Sequence, residues 1–124
     1  MREIKFRAWN ESLKEMEECF DLYWFEENFV REQGDNGFII EQYTGLKDKN
    51  GVEIYEGDIL GWDYSNDPLF VDEQPGIEYG VVSWRYYCCG FVLTVDGDEE
   101  ALSDANLEQH DICGNIHENL ELLT

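Results

Sequence analysis

The side chains in this sequence best suited to chemistry are its carboxylates, which are densest in the run Asp96-Gly97-Asp98-Glu99-Glu100. Acidic residues around a glycine are typical of calcium-binding loops. An EF-hand loop that began at Asp96 would have Ala101 at the position that needs glycine and Leu107 at the position that needs glutamate. We therefore interpret the run as a solvated acidic loop, with loose binding of a divalent ion as the alternative.

The candidate ligands for a zinc ion are cysteines and histidines: Cys88, Cys89, Cys113, His110 and His117. No two cysteines have the spacing of two to four intervening residues that usually anchors a zinc site. Adjacent residues of a strand also point to opposite faces, which separates Cys88 from Cys89. We expect buried or half-buried free thiols, and we predict no metal and no other cofactor.

Catalytic groups are equally hard to assemble. Both histidines fall within the last 15 residues, and the sequence has neither a Gly-x-Ser-x-Gly motif nor a phosphate-binding loop. A hydrolase needs a nucleophile, a base and an orienting acid within reach of one another. We therefore predict no catalytic residues and expect that the protein is not an enzyme.

The charge of the chain is strongly negative and uneven. Eight Lys and Arg face 29 Asp and Glu, for a net charge of −21, and Arg85 is the one basic residue after position 49. Nucleic-acid binding needs a basic surface that releases counterions, and anionic membranes repel acidic proteins. We therefore expect no direct binding of nucleic acid and no membrane association, and we expect a strongly negative surface on the C-terminal part.

Location follows from the start of the chain and its cysteines. Met1 leads directly into a strand-like segment instead of a signal peptide, and no long apolar run follows. The adjacent pair Cys88-Cys89 and the isolated Cys19 and Cys113 do not form a secretory disulfide pattern. We expect an intracellular, cytoplasmic protein with reduced thiols.

Short strands must position these side chains. Ile4, Phe6 and Ala8 alternate with charged residues, which predicts a half-buried strand. Further strands are predicted over 38–46, 52–55, 59–64, 79–87, 91–95 and 112–116, and over 15–25 a strand that leads into an irregular segment, with a short helix over 20–31 as the alternative. Turns are predicted at 10–12, 34–37, 49–51 and 56–58, with an acidic loop from Asp96 and a long loop over 65–78. One or two helical turns are predicted within 101–109, and a terminal turn over 119–123. This pattern predicts a mainly β fold, a small antiparallel barrel.

Three stretches resemble the YopX-type family of phage and prophage proteins: EIKFRAWN at 3–10, QYTGLKDKNGVEIYEGDIL at 42–60 and ICGNIHENLELL at 112–123. The resemblance implies an SH3-like barrel with extra N-terminal strands and no known enzymatic activity. It also implies a single domain over 1–124, in which 1–37 holds the N-terminal strands and a variable segment, and 38–124 forms the barrel.

A protein-binding surface is the remaining candidate site. From the central motif we consider Tyr43, Asp48, Tyr55 and Asp58, with turn and scaffold roles as the alternative. Exposed aromatic residues of SH3-like barrels often contact peptides, so we add Trp62, Tyr64, Trp84 and Tyr86, together with Tyr87. The alternative is that these aromatic residues belong to the core or to a subunit interface.

The expected function is binding of a phage or host protein, without catalysis. One alternative is a structural component that self-associates into a homo-oligomer through its strand edges. Another is an acidic protein that imitates the charge of DNA and inhibits a nucleic-acid-binding host protein, because a negative field accelerates encounter with a basic surface.

Overall fold

The structure is a computed structural model that describes residues 5–18, 38–64 and 76–123. Within these residues the chain forms nine strands: β1 (Phe6–Asn10), β2 (Glu15–Glu18), β3 (Phe38–Lys47), β4 (Glu53–Tyr55), β5 (Asp58–Asp63), β6 (Ile77–Arg85), β7 (Gly90–Val95), β8 (Asp98–Ala101) and β9 (His110–Asn115). The helical elements of the described residues are three short 3-10 helices, Leu102–Asp104, Leu107–Gln109 and Leu120–Leu123. None of these helices is long or apolar enough to span a membrane.

The strands form two antiparallel sheets that curl into a half-open barrel. The first sheet has the order β2-β1-β3-β4, and the second has the order β8-β7-β6-β5-β9. The predicted mainly β fold is confirmed, with the β1–β2 hairpin as its additional N-terminal strands. Two connections hold the sheets together at the β4–β5 turn, because the Gly57 N–H donates to the Val82 carbonyl (2.8 Å) and the Ile116 N–H donates to the Gly57 carbonyl (2.9 Å).

The apolar core lies between the β4–β5 corner and the β6–β7 hairpin. Ile54, Leu60, Val82, Leu93 and Leu102 are its centre, and each is at most 1% exposed. Val82 and Leu93 are cross-strand partners on one face of the second sheet, because β-strand side chains alternate between faces, and Leu102 joins this cluster from a 3-10 helix. Truncating any of these leucines to alanine should cost about 2 to 5 kcal/mol of folding free energy.

The acidic run from Asp96 corrects one prediction. It is a tight hairpin and not a loop, since β8 begins at Asp98 and pairs with β7 from Val95↔Asp98 to Val92↔Ala101. Asp96 and Gly97 have φ values of 49° and 86°. Two successive residues with positive φ are typical of two-residue hairpin turns, whose twist matches that of the flanking strands.

The other predicted strands are present where the structure describes them, with bounds that differ by one or two residues: β6 ends at Arg85, so Tyr86 and Tyr87, predicted as strand, lie in the hairpin turn. The turns at 49–51 and 56–58 join β3 to β4 and β4 to β5. The helical turns within 101–109 are two 3-10 helices, and the terminal turn predicted over 119–123 is a third. The turn predicted at 34–37, the helix considered over 20–31 and most of the loop predicted over 65–78 lie outside the described residues. β6 begins at Ile77, inside the range predicted for that loop.

Candidate protein-binding surface

The four candidate residues from the central motif lie inside the protein. Tyr43, Asp48, Tyr55 and Asp58 are between 2% and 7% exposed. The two tyrosines are paired across β3 and β4, with ring centroids 5.5 Å apart, in the contact that cross-strand neighbours favour. A partner has no access to these side chains, so we withdraw all four from the contact surface and assign them to the scaffold.

Asp48 closes the β3–β4 turn and connects it to β9. Its Oδ1 accepts hydrogen bonds from the N–H groups of Asn50 (2.8 Å) and Val52 (2.9 Å), and its Oδ2 accepts one from the Ile112 N–H (3.1 Å). Burial alone would raise the pKa of Asp48, but these three amides and the nearby Lys49 hold the pKa below its usual value. The charged form of Asp48 therefore stabilises this turn.

A buried ion cluster joins the two sheets. Arg7 on β1 donates through Nε to Glu41 Oε1 (2.9 Å) and through Nη2 to Asp58 Oδ1 (2.8 Å). Its guanidinium also lies 4.8 Å from the ring centroid of Tyr55. Burial raises the pKa of Asp58, and Arg7 acts in the opposite direction. Because Arg7, Glu41 and Asp58 come from three strands, the cluster holds β1, β3 and β5 together.

His117 and Trp9 extend this cluster. His117 Nε2 lies 3.0 Å from Glu41 Oε2, and the imidazole stacks on Trp9 with ring centroids 4.9 Å apart and planes 7° from parallel. Gly57, with φ of 84°, packs so closely that a Cβ atom there would lie 2.9 Å from the carboxyl carbon of Glu41. Each of the three stretches of family resemblance thus contributes residues to one buried cluster. We therefore interpret these stretches as segments that determine the fold.

Trp62 and Tyr64 are only half-buried, and they contact other rings. The ring centroid of Trp62 lies 5.9 Å from that of Tyr64 and 6.2 Å from that of His110. Tyr64 also lines a cavity of about 500 Å³ beside Tyr79 and Leu122. These aromatic residues can contribute only part of their area to a partner.

The exposed aromatic residues are concentrated at one end of the β6–β7 hairpin, residues 84–91, which we call the aromatic hairpin. Trp84, Tyr86 and Tyr87 are 42%, 85% and 64% exposed. The rings of Trp84 and Phe91 meet edge to face, with their centroids 5.1 Å apart, and the centroids of the two tyrosine rings lie 6.2 Å apart. Large aromatic rings that are held in place by their neighbours lose little entropy on binding, so this patch is suited to contact another protein.

A groove of about 530 Å³ adjoins the aromatic hairpin, and we call it the hairpin groove. Its walls come from three segments: Thr44–Leu46 of β3, part of the aromatic hairpin (Trp84 and Cys88–Phe91), and Ala101–Ser103 at the end of β8. The register explains its apolar floor. Val82 faces Leu93 and Trp84 faces Phe91 on the same side of the sheet, so the apolar row of the core continues into the groove.

β8 bounds this region with carboxylates, and we call Asp98–Ala101 the acidic edge. All four of its residues are exposed. Arg85 Nε lies 3.2 Å from Glu99 Oε2, and the Tyr87 hydroxyl donates to the other carboxylate oxygen. This hydrogen bond to Glu99 raises the pKa of Tyr87 and lowers the pKa of Glu99. The aromatic hairpin and the acidic edge are thus in direct contact.

The thiols differ from expectation. Cys88, Cys89 and Cys113 are exposed, whereas the sequence favoured buried or half-buried positions. Cys88 and Cys89 occupy the turn of the aromatic hairpin, and not a strand as assumed for the zinc argument. Within 5–18, 38–64 and 76–123, no three His, Cys, Asp or Glu side chains are grouped so that they could hold a metal ion.

Two parts of this arrangement were not predicted from the sequence. One is the pairing of Arg7 with Glu41 and Asp58, because the order of the motifs along the chain does not show which residues lie close together in space. The other is β8, although the dipeptide Asp96-Gly97 is a recognised hairpin signal. The residues that follow it, Asp98–Glu100, have low strand propensity, which weakens this signal.

Comparison with known proteins adds the following findings. The family model described as YopX protein matches residues 17–124. No curated protein matches the chain. Among solved structures, the chain is similar to the crystal structure of protein EF1440 from Enterococcus faecalis, with 27% sequence identity, a TM-score of 0.68 and 100% of both chains covered. This likeness includes the N-terminal strand β1, which precedes the residues that match the family model.

Proposed function

The chain belongs to the YopX protein family, and from this premise we propose that it is a non-enzymatic phage or prophage protein that binds a protein of the phage or of its bacterial host. The contact surface consists of the aromatic hairpin and the hairpin groove. The observation that carries this proposal is the clustering of Trp84, Tyr86 and Tyr87 in one exposed patch. Protein interfaces are enriched in aromatic residues, and a few such residues supply most of the binding energy.

The negative charge of the exposed surface favours a basic partner. Ten carboxylates of the described barrel strands and turns are exposed: Asp63, Glu78, Asp96, Asp98, Glu99, Glu100, Asp104, Glu108, Glu118 and Glu121. A field of this sign accelerates encounter with basic proteins and repels acidic ones. Imitation of DNA by these carboxylates is the second candidate function, and it predicts a partner that also binds nucleic acid. The apolar patch distinguishes the two, because charge imitation has no need for exposed aromatic rings.

Affinity capture from bacterial cells tests the proposal. Wild-type protein should retain a partner that the Tyr86→Ser variant retains at least about fivefold less, because truncation of a central aromatic contact costs about 1 to 4 kcal/mol. Leu13→Ser is the matched control, since Leu13 is 62% exposed but lies in the β1–β2 turn. Equal capture by the two variants would place the contact surface elsewhere and contradict the proposal.

The salt dependence and the mass of the protein separate the alternatives. For the proposed surface, capture should weaken but persist at about 0.5 M salt, where exposed charges are screened within a few ångströms. Complete loss of capture at that salt concentration, with Tyr86→Ser still active, would favour imitation of DNA. Light scattering in the presence of reductant should give the monomer mass, and a closed oligomer that buries Trp84 would favour the self-assembling component.

A further inference from the structure

We propose that the acidic edge is a docking strand, to which the partner adds a basic, extended segment while one apolar side chain of that segment enters the hairpin groove. This inference rests on the proposed function and specifies its binding mode. It predicts recognition by backbone pairing, lysine or arginine side chains and a single apolar anchor.

The position of β8 in its sheet supports strand addition. β8 is the first strand in the order β8-β7-β6-β5-β9, and it pairs with β7 on one side, with no further strand of the described residues on the other. The opposite edge of this sheet differs, because the Lys49 N–H donates to the His110 carbonyl (3.0 Å) and Asp48 accepts the Ile112 N–H (3.1 Å). The β3–β4 turn therefore protects β9, while β8 presents a strand edge that can pair with another chain.

The hairpin groove lies where an added strand would pass the end of β8. Its lining includes Ala101, the last residue of β8, and Leu102, which follows it. Trp84 of β6 and Phe91 of β7 also line it. Leu102 is 1% exposed and Trp84 is 42% exposed, so the apolar face changes from covered to open within the groove. An apolar side chain of the added strand would cover the open part of this apolar face and bury Trp84 more deeply.

Charge selects a basic segment over a second copy of this chain. Side chains that face each other across an antiparallel pair lie about 5 Å apart. Two carboxylates at that distance repel each other, and they do so more strongly near a protein surface than in bulk water. β8 carries Asp98, Glu99 and Glu100, so pairing with itself repeats this repulsion, whereas lysines at the same positions reverse its sign. Only Glu99 has a described basic partner, Arg85.

The probe for this proposal is the synthetic peptide Val-Lys-Val-Leu-Val-Lys-Val, in which both lysines and the central leucine lie on one face of the extended chain, as Asp98, Glu100 and the groove do on one face of the sheet. Its binding is followed by NMR through the amide signals of the protein. We expect the amides of β8 and the hairpin groove to shift, and we expect the double variant Asp98→Lys/Glu100→Lys to bind at least about tenfold more weakly. Glu118→Lys/Glu121→Lys is the matched control, with the same change in net charge at two other exposed carboxylates, and it should bind within about twofold of wild type.

A second peptide tests backbone pairing. N-methylation of every other amide removes strand pairing and keeps the charge, so binding should be lost. Equal weakening by the two double variants, full binding of the methylated peptide or no binding of the lysine peptide would each overturn strand addition. Failure here is distinct from failure of the proposed function: a captured partner that is lost with Tyr86→Ser but retained by Asp98→Lys/Glu100→Lys keeps the surface and rejects the binding mode.

Discussion

Replacement of Gly57 by alanine should destabilise the protein more than any other glycine-to-alanine change in a described turn. Gly57 has φ of 84°, and its missing Cβ would lie 2.9 Å from the carboxyl carbon of Glu41 and closer still to one carboxylate oxygen. An alanine there must hold a left-handed backbone and also displace Glu41 from Arg7 and His117. Two costs therefore act together at this position.

The magnitude follows from these two costs. A left-handed backbone conformation costs an alanine about 1 to 2 kcal/mol relative to glycine. Displacement of Glu41 removes its charged hydrogen bond with Arg7, worth about 1.5 to 3 kcal/mol. The free energy of unfolding should fall by about 3 to 5 kcal/mol, which is a large part of the stability of a domain of this size. Gly51→Ala is the matched control, because Gly51 has φ of 80° and nothing within 4 Å of its missing Cβ. That variant should lose only the backbone cost of about 1 to 2 kcal/mol.

Urea denaturation followed by tryptophan fluorescence measures both variants at fixed salt. Glu41→Ala provides the second half of a double-mutant cycle: on that background the cost of Gly57→Ala should fall to the Gly51→Ala value, since the carboxylate has gone. If Gly57→Ala and Gly51→Ala cost the same within about 0.5 kcal/mol, or if the cycle shows no coupling, the close packing of Glu41 on the β4–β5 turn is refuted.

Three further predictions concern the buried charges. Burial raises the pKa of Glu56 and of Asp58 above their ordinary values of 4.5 and 3.8, so the folded state binds protons that the unfolded state releases. The unfolding free energy should therefore rise as pH falls from neutral toward these ordinary values, and a steady decline in urea titrations over that range would contradict this. Asp48→Ala should cost about 2 to 4 kcal/mol in the same assay, because three backbone amides lose their acceptor; a cost below about 1 kcal/mol would rule out the turn role of Asp48. Arg7→Met should cost about 3 to 5 kcal/mol at neutral pH, because Glu41 and Asp58 remain buried without their cation, and part of the loss should be recovered near pH 5; a pH-independent cost would exclude unpaired charge as its cause.

Local sequence patterns sufficed for most strands and for the turns between them. The strand predicted over 38–46 and the turn predicted from the Asn50-Gly51 pair correspond to β3 and the turn that follows it, because both depend on neighbouring residues only. β8 was not predicted, because it depends on pairing with another strand and not on its own residues. Its residues Asp98–Glu100 have low strand propensity, and pairing with β7 places them in a strand despite this.

The site could be predicted only in part, because burial depends on contacts between distant segments. The pairing of Tyr43 with Tyr55 was evident from the hairpin, but nothing local indicates that both rings are covered. Arg7 reaches Glu41 over 34 residues and Asp58 over 51, and such separations leave no signal in residue spacing. The aromatic hairpin was detectable because Trp84 and Tyr86 are large apolar residues beside a turn, where cover is hard to supply.

Hydrogen–deuterium exchange of the free protein and of its complex with a captured partner tests the central claim most directly. Binding at the aromatic hairpin and the acidic edge should slow exchange within residues 84–103 and leave the β1–β2 turn at 11–14 unchanged. Slowed exchange confined to the Asp48–Val52 turn or to β9, with 84–103 unaffected, would contradict it.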